Sequence, residues 1–240
     1  TGLAYLRPKP RLIKGIYAIG VPAIVMQALM SVMCFGVNII FGTVSTEAVT
    51  AYGVYYKIQQ FVFFAAFGMN NAMIPIISFN YGKGDRRRID QGIRYGMIDT
   101  LVIMGIGLLA LQLFAQPLIG IFALSAETQA LCLRAIRIIT PGYLFVGANI
   151  AYQGIFQALG CGIRSLILSL VRLIVVALPL AWVFAQCMNA EAIIWAAFPV
   201  AEGVALIVGL ILMRQVKGLR LERLSSPGGF MAGPEDRTAE

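Results

Sequence analysis

The sequence predicts an all-α membrane protein of six transmembrane helices, and three observations carry that prediction. Of its 240 residues, 59% are hydrophobic and only 12% are charged, whereas soluble domains average about 25% charged. The apolar residues gather in six stretches, each reaching the length of about 20 residues that a helix needs to cross a hydrocarbon core about 30 Å thick. The basic residues lie mainly between these stretches and on one side of them. This composition excludes a soluble globular domain, a disordered chain, a collagen-like repeat and a disulfide scaffold.

In chain order the predicted spans are residues 16–42, 49–79, 93–116, 131–159, 165–184 and 192–213. The connectors 43–48, 80–92, 117–130, 160–164 and 185–191 are rich in Gly, Ser, Thr, Asn and charge, and none has room for a soluble domain. Residues 1–14 read as a basic cytoplasmic linker, 15–217 as one six-helix lobe, and 218–240 as a cytoplasmic tail. The stretch SSPGGFMAGPEDRTAE has no apolar period and is expected to be disordered. The chain begins at Thr1 without a signal peptide and reads as part of a longer protein.

Orientation follows from the excess of Lys and Arg on cytoplasmic flanks. Arg7, Lys9, Arg11 and Lys14 precede span one. Lys83, Arg86, Arg87, Arg88 and Arg94 surround the second connector, Arg164 lies in the fourth, and Arg214, Lys217, Arg220, Arg223 and Arg237 follow span six. The opposite connectors hold Glu47, Glu127 and Glu191 and no Lys or Arg. Both ends of the chain are therefore expected in the cytoplasm. Lys57, Arg134, Arg137 and Arg172 fall inside spans; the first three lie near outer ends, where a long side chain can snorkel.

The chain has no histidine, which removes Ser-His-Asp and Cys-His nucleophile systems, HExxH zinc sites and imidazole relays. Cys34, Cys132, Cys161 and Cys187 make no CxxC pair and read as small apolar side chains. Cys132 and Cys187 both approach the outer face, which leaves a disulfide between them open. No cofactor and no resident metal is expected. The net charge of +8 is spread over the membrane flanks, so the bilayer and its headgroups, not nucleic acid, are the expected partner.

Polar residues recur at helical spacing inside three spans. Span one carries Gln27, Ser31, Cys34 and Asn38; span two carries Lys57, Gln60, Gly68, Asn71 and Pro75; span four carries Asn149, Gln153 and Gln157. Such stripes either hold the bundle together through interhelical hydrogen bonds or line a shared water-filled cavity, and the second reading is favoured. Pro22, Pro75, Pro141, Pro179 and Pro199 lie inside spans, where each frees a backbone carbonyl and bends its helix. Arg172 in span five and Glu202 in span six lie at similar depths at 1.5 Å per residue and are expected to pair; snorkelling by Arg172 with a protonated Glu202 is the alternative. Asp99, about one turn into span three, is expected to join the basic cluster near Arg94 and Tyr95. The connector segment YGKGDRRR lacks the GxxxxGK[ST] pattern and reads as a tight turn in contact with anionic lipid.

Four stretches carry a family resemblance: GVPAIVMQ at 20–27, AYGVYYKIQQFVFFAAFGMNNAMIPIISFNYGKGD at 51–85, YQGIFQALGCGIRS at 152–165 and RLIVVALPLAW at 172–182. Across about 13–218 the chain resembles the C-terminal half of a multidrug and toxic compound extrusion (MATE) transporter, closest to the bacterial branch. The resemblance implies one lobe of a MATE-type two-lobe transporter in the bacterial inner membrane. It implies export of lipophilic, often cationic drugs by alternating access, driven by entry of Na+ or H+, with the missing N-terminal lobe as partner. Where other members place an acid in the first helix of this lobe, span one has Gln27, Ser31 and Asn38. The residues expected to line the substrate or ion cavity are Gln27, Asn38, Lys57, Asn70, Asn71, Asn149 and Gln153, with Phe64, Phe67, Met69 and Met73 as an adaptable apolar wall. Arg172 and Glu202 are expected to serve as an ion pair or in coupling. The alternative is a flippase for a lipid-linked oligosaccharide or peptidoglycan precursor, for which Lys57 and Arg172 are the cations on offer. A channel and an intramembrane enzyme rank below both, the latter for want of paired acids or an activated nucleophile.

Overall fold

The computed structural model describes residues 10–221, and among them six helices are long and apolar enough to cross a membrane. Spans one to three are single helices, α1 (Pro10–Gly42), α2 (Thr46–Lys83) and α3 (Arg86–Gly120). Span four is broken into α4 (Ala126–Ile139) and α5 (Tyr143–Ala158) by a 3-10 turn at Thr140–Gly142. Span five runs as α6 (Gly162–Leu170), a π-helical turn at Val171–Val176, and α7 (Ala177–Ala185). Span six starts with the short α8 (Ala190–Ile193) and a 3-10 turn at Ile194–Ala196, continues as α9 (Ala197–Val216) and ends in a π turn at Lys217–Leu221.

Several helices overrun the expected connectors. The second connector narrows to Gly84 and Asp85. Gly84 closes α2 in the left-handed region at φ 72, and the Asp85 side chain caps α3 by accepting from the Arg88 N–H. The helix α3 continues through Pro117 to Gly120 with a kink at Phe114 (φ −108, ψ 17); the proline supplies no N–H to the preceding turn, which opens there. Helix α1 already starts at Pro10, whose locked φ suits a first turn, so residues 10–14 of the expected linker are helical. Residues 1–9 and 222–240, with the expected disordered tail, lie outside the described residues.

Helix α2 is central and packs on α3, α4 and α5; α5 in turn packs on α9 and α6. Helix α1 leans on α6, α7 and α2, and among its described side chains only Val37 and Phe41 are buried. One core fills the half of the lobe that holds the α1–α2 turn: Phe41 meets the Trp195 ring edge-on at 4.8 Å and Tyr52 stacks on Phe198 at 5.8 Å. A second core at the opposite end, beside the α2–α3 turn, gathers Met73, Ile77, Ile89, Phe156, Leu168, Met213 and Leu221. There Arg86 Nη1 donates to the Leu221 carbonyl at 2.6 Å, tying the start of α3 to the end of span six.

The broken spans four and six touch at their breaks. A Cβ on Gly142 would lie 2.9 Å from the Pro199 Cβ and 3.0 Å from its Cα, so the contact requires glycine and has a rigid ring and backbone opposite. Gly142→Ala in the full-length protein is expected to destabilise the fold by about 1–3 kcal/mol, read as a lower thermal unfolding midpoint in detergent. Gly53→Ala, with no heavy atom within 4 Å of the new methyl, is expected to leave that midpoint unchanged.

Candidate functional site

The site begins with a proline. Pro179 has no N–H for the Val175 carbonyl, and the turn before it is wound as a π-helix carrying Arg172. The guanidinium is 5% exposed, and its Nε donates to Glu202 Oε1 at 2.6 Å. Glu202, itself 13% exposed, lies one turn after Pro199 in α9. The second oxygen, Oε2, accepts from Asn149 Nδ2 at 2.8 Å, and the same Nδ2 also donates to the Glu202 backbone carbonyl at 3.0 Å. Three broken or bent spans thus meet at one neutralised pair, which is how charge is tolerated at membrane depth.

Beside the pair is a cavity of about 60 Å³ walled by Tyr52, Tyr55, Tyr56, Tyr143, Gln59, Met30, Met33 and Phe63. The Tyr55 and Tyr143 hydroxyls are 3.3 Å apart. The volume suits a few waters or a small ion, far below the roughly 300–1,000 Å³ of a drug pocket. Two buried acceptors, Asn149 Oδ1 and Asn70 Oδ1, have no hydrogen-bond partner. Among the described residues no group of three or more Cys, Asp or Glu side chains converges to hold a metal ion.

The residues singled out in sequence divide into two populations. Gln27, Lys57 and Asn71 stand exposed on the lobe surface, and Asn38 is half-buried, donating back to the Cys34 carbonyl at 2.8 Å. Asn70 and Asn149 are buried inside the lobe. Gln153 donates to Ser169 Oγ at 3.0 Å and Gln157 to Ser165 Oγ at 3.3 Å, so the lower part of the span-four stripe joins spans four and five. The structure therefore unites Arg172, Glu202 and Asn149 and leaves the remainder apart. Asp99 departs from its expected pairing: it is exposed in a groove, and no ion pair to it forms among the described residues. All four cysteines are free, Cys132 buried and Cys187 exposed. The tyrosine wall was not anticipated. Its signal is the spacing of Tyr52, Tyr55 and Tyr56, which occupy one helical face at steps of three and four.

The MatE family model matches residues 22–183. The chain belongs to the MATE family. It is 23% identical over 211 residues to the multidrug export protein MepA of Staphylococcus saprophyticus, a match covering 88% of this chain and 46% of that protein. Among solved structures, a MOP-superfamily transporter from Pyrococcus furiosus superposes with a TM-score of 0.84 at 21% identity, covering 94% of this chain and 50% of that one. An outward-facing multidrug resistance MATE transporter gives 0.83 at 22%, covering 91% and 49%. The chain spans about half the length of the curated relatives it matches. It is a multi-pass, all-α membrane protein with the fold of one lobe of a MATE-type transporter.

Because the pair is buried, removing one member strands the other. Arg172→Leu in the full-length MATE protein is expected to lower stability by about 3–5 kcal/mol, seen as earlier thermal unfolding in detergent. Adding Glu202→Leu is expected to recover most of the loss; a double variant no more stable than the single one would refute a pairwise interaction.

Proposed function

We propose that the whole protein, this lobe with an N-terminal one, exports lipophilic and often cationic compounds across the bacterial inner membrane in exchange for Na+ or H+. Both ends of this chain would then lie in the cytoplasm. The observation that carries the reading is the buried Arg172–Glu202–Asn149 cluster beside a cavity too small for a drug, within a lobe of this family's fold. The MepA relative's name, multidrug export protein, supports the direction and class of cargo.

The cavity's size divides the labour. A compound of drug size has no room in this internal cavity and would bind between lobes, where the exposed stripe of Gln27 and Ser31 on α1 and the Lys57 and Asn71 side chains on α2 have no partners among the described residues. The internal site suits the coupling ion. A proton or Na+ reaches Glu202 Oε1 only when Arg172 leaves it, so loading the ion is linked to a change at the π turn of span five. Turning the Asn149 amide over would direct Oδ1 at Glu202, giving three oxygens of the kind a small cation or a carboxylic proton satisfies. Ion binding then favours whichever lobe arrangement separates the pair, and the drug is released from that arrangement.

The flippase alternative gains no observation. A diphosphate needs an unpaired cation in the cavity, and Arg172 is neutralised by Glu202 while Lys57 stands outside.

The test is efflux of a fluorescent lipophilic cation from cells expressing the full-length protein, with sodium and proton gradients collapsed separately. Efflux is expected to fail when one of the two gradients is lost. Glu202→Gln strands Arg172 and is expected to lower the unfolding temperature, and it is expected to reduce efflux at least about tenfold when efflux is normalised to the amount of folded protein in the membrane. Undiminished efflux in that variant would remove Glu202 from coupling.

A further inference from the structure

A second site lies outside the Arg172–Glu202 cavity. Beside the contact of α2 with α3, in their cytoplasmic halves, lies an open groove of about 630 Å³, a volume in the range of drug pockets. One wall is α3, where Arg87, Gln91, Tyr95 and Asp99 recur at steps of four and so form a single stripe. The other is α2, which presents Met69, Met73, Ile76 and, nearest the rim, Asn80. At the floor Gly96 packs directly against Met73, leaving no room for a Cβ.

The charges are segregated along the groove. At the rim Arg88 pairs with Asp85 at 3.6 Å. Eleven residues beyond Arg88 along α3, about 16 Å at 1.5 Å per residue, Asp99 faces the groove with neither a hydrogen bond nor an ion pair among the described residues. An acid at that depth is costly without a counter-charge. The groove around it offers polarisable thioethers and an exposed tyrosine ring, the surroundings that favour a flat or bulky organic cation. A membrane-soluble cation collects in the inner leaflet at this depth, whereas a phospholipid phosphate would stop at the arginine rim and leave Asp99 uncompensated.

We propose that this groove is a binding site for amphiphilic organic cations, with Asp99 as counter-charge and Met69, Met73, Ile76 and Tyr95 as the apolar wall. It captures cargo from the cytoplasmic leaflet before transport, and in that respect it rests on the transporter reading above. It is separate from the Arg172–Glu202 site, since the two cavities share no residue.

The test uses the purified full-length protein and tetraphenylphosphonium as probe. Asp99→Asn is expected to weaken equilibrium binding about tenfold, and Asp99→Glu to restore most of it. In parallel, a thiol introduced by Gln91→Cys is labelled with a water-soluble maleimide and compared with the unmutated protein. Tetraphenylphosphonium is expected to slow that labelling several-fold, and the neutral triphenylphosphine oxide is expected to slow it little. Equal binding by wild type and Asp99→Asn would overturn the proposal, as would equal protection by the neutral probe. Protection by phosphatidylglycerol vesicles alone would overturn it in favour of a lipid groove. Should wild type bind the cation with this pattern yet cells show no efflux, the transport reading fails and the site stands; efflux unaffected by an Asp99→Asn variant that also binds normally sinks the site and leaves transport intact.

Discussion

The pairing of Arg172 with Glu202 is the interaction around which the lobe is arranged. A lone charge in the hydrocarbon region is costly, so each of these residues is stable only where the other is brought to it, and they come from adjacent spans. Asn149 adds a third span by occupying the carboxylate oxygen that Arg172 leaves. The backbone departs from regular α-helix around this contact: a π turn under Arg172, a 3-10 turn after α4 and another before α9. Irregular backbone at membrane depth is tolerated where it is enclosed by protein or faces a cavity, and here it does both. Prolines 141, 179 and 199 supply the freed carbonyls from which these turns are made.

Away from that centre the lobe is held by close contact of small and aromatic side chains. Gly142 against Pro199, and Gly96 against Met73, set the distances between helices, as expected where the hydrophobic effect does not distinguish lipid from protein. The polar groups left over are sorted by location. Gln153 and Gln157 bond within the lobe, whereas Gln27, Lys57 and Asn71 face outward from α1 and α2. The lobe thus keeps polar side chains on an open face and a paired charge inside.

Much of this was legible from residue order. Arg172 and Glu202 could be matched because 1.5 Å per residue converts position into depth once the ends of a span are known. Asn70 and Asn71 show the limit. They are neighbours of one type and were grouped together, yet 100° of helical rotation buries one and exposes the other. Tyr143 joins Tyr55 from 88 residues away, a meeting that periodicity within one helix does not contain. The expected bond between Asp99 and the basic cluster failed for a related reason: Arg94 lies five positions earlier, about 140° around the helix, so closeness in sequence placed the two on different faces.

By itself, the sequence determined that the chain crosses a membrane six times, because apolar length and scarcity of charge are properties of composition that no tertiary arrangement alters. The same holds for which charges must find partners, since the cost of an unpaired ion in hydrocarbon depends on the medium alone. Only the tertiary structure decided which polar residues share a cavity. Helix rotation and the bends at prolines set the azimuth of each side chain, and these are fixed by packing between spans.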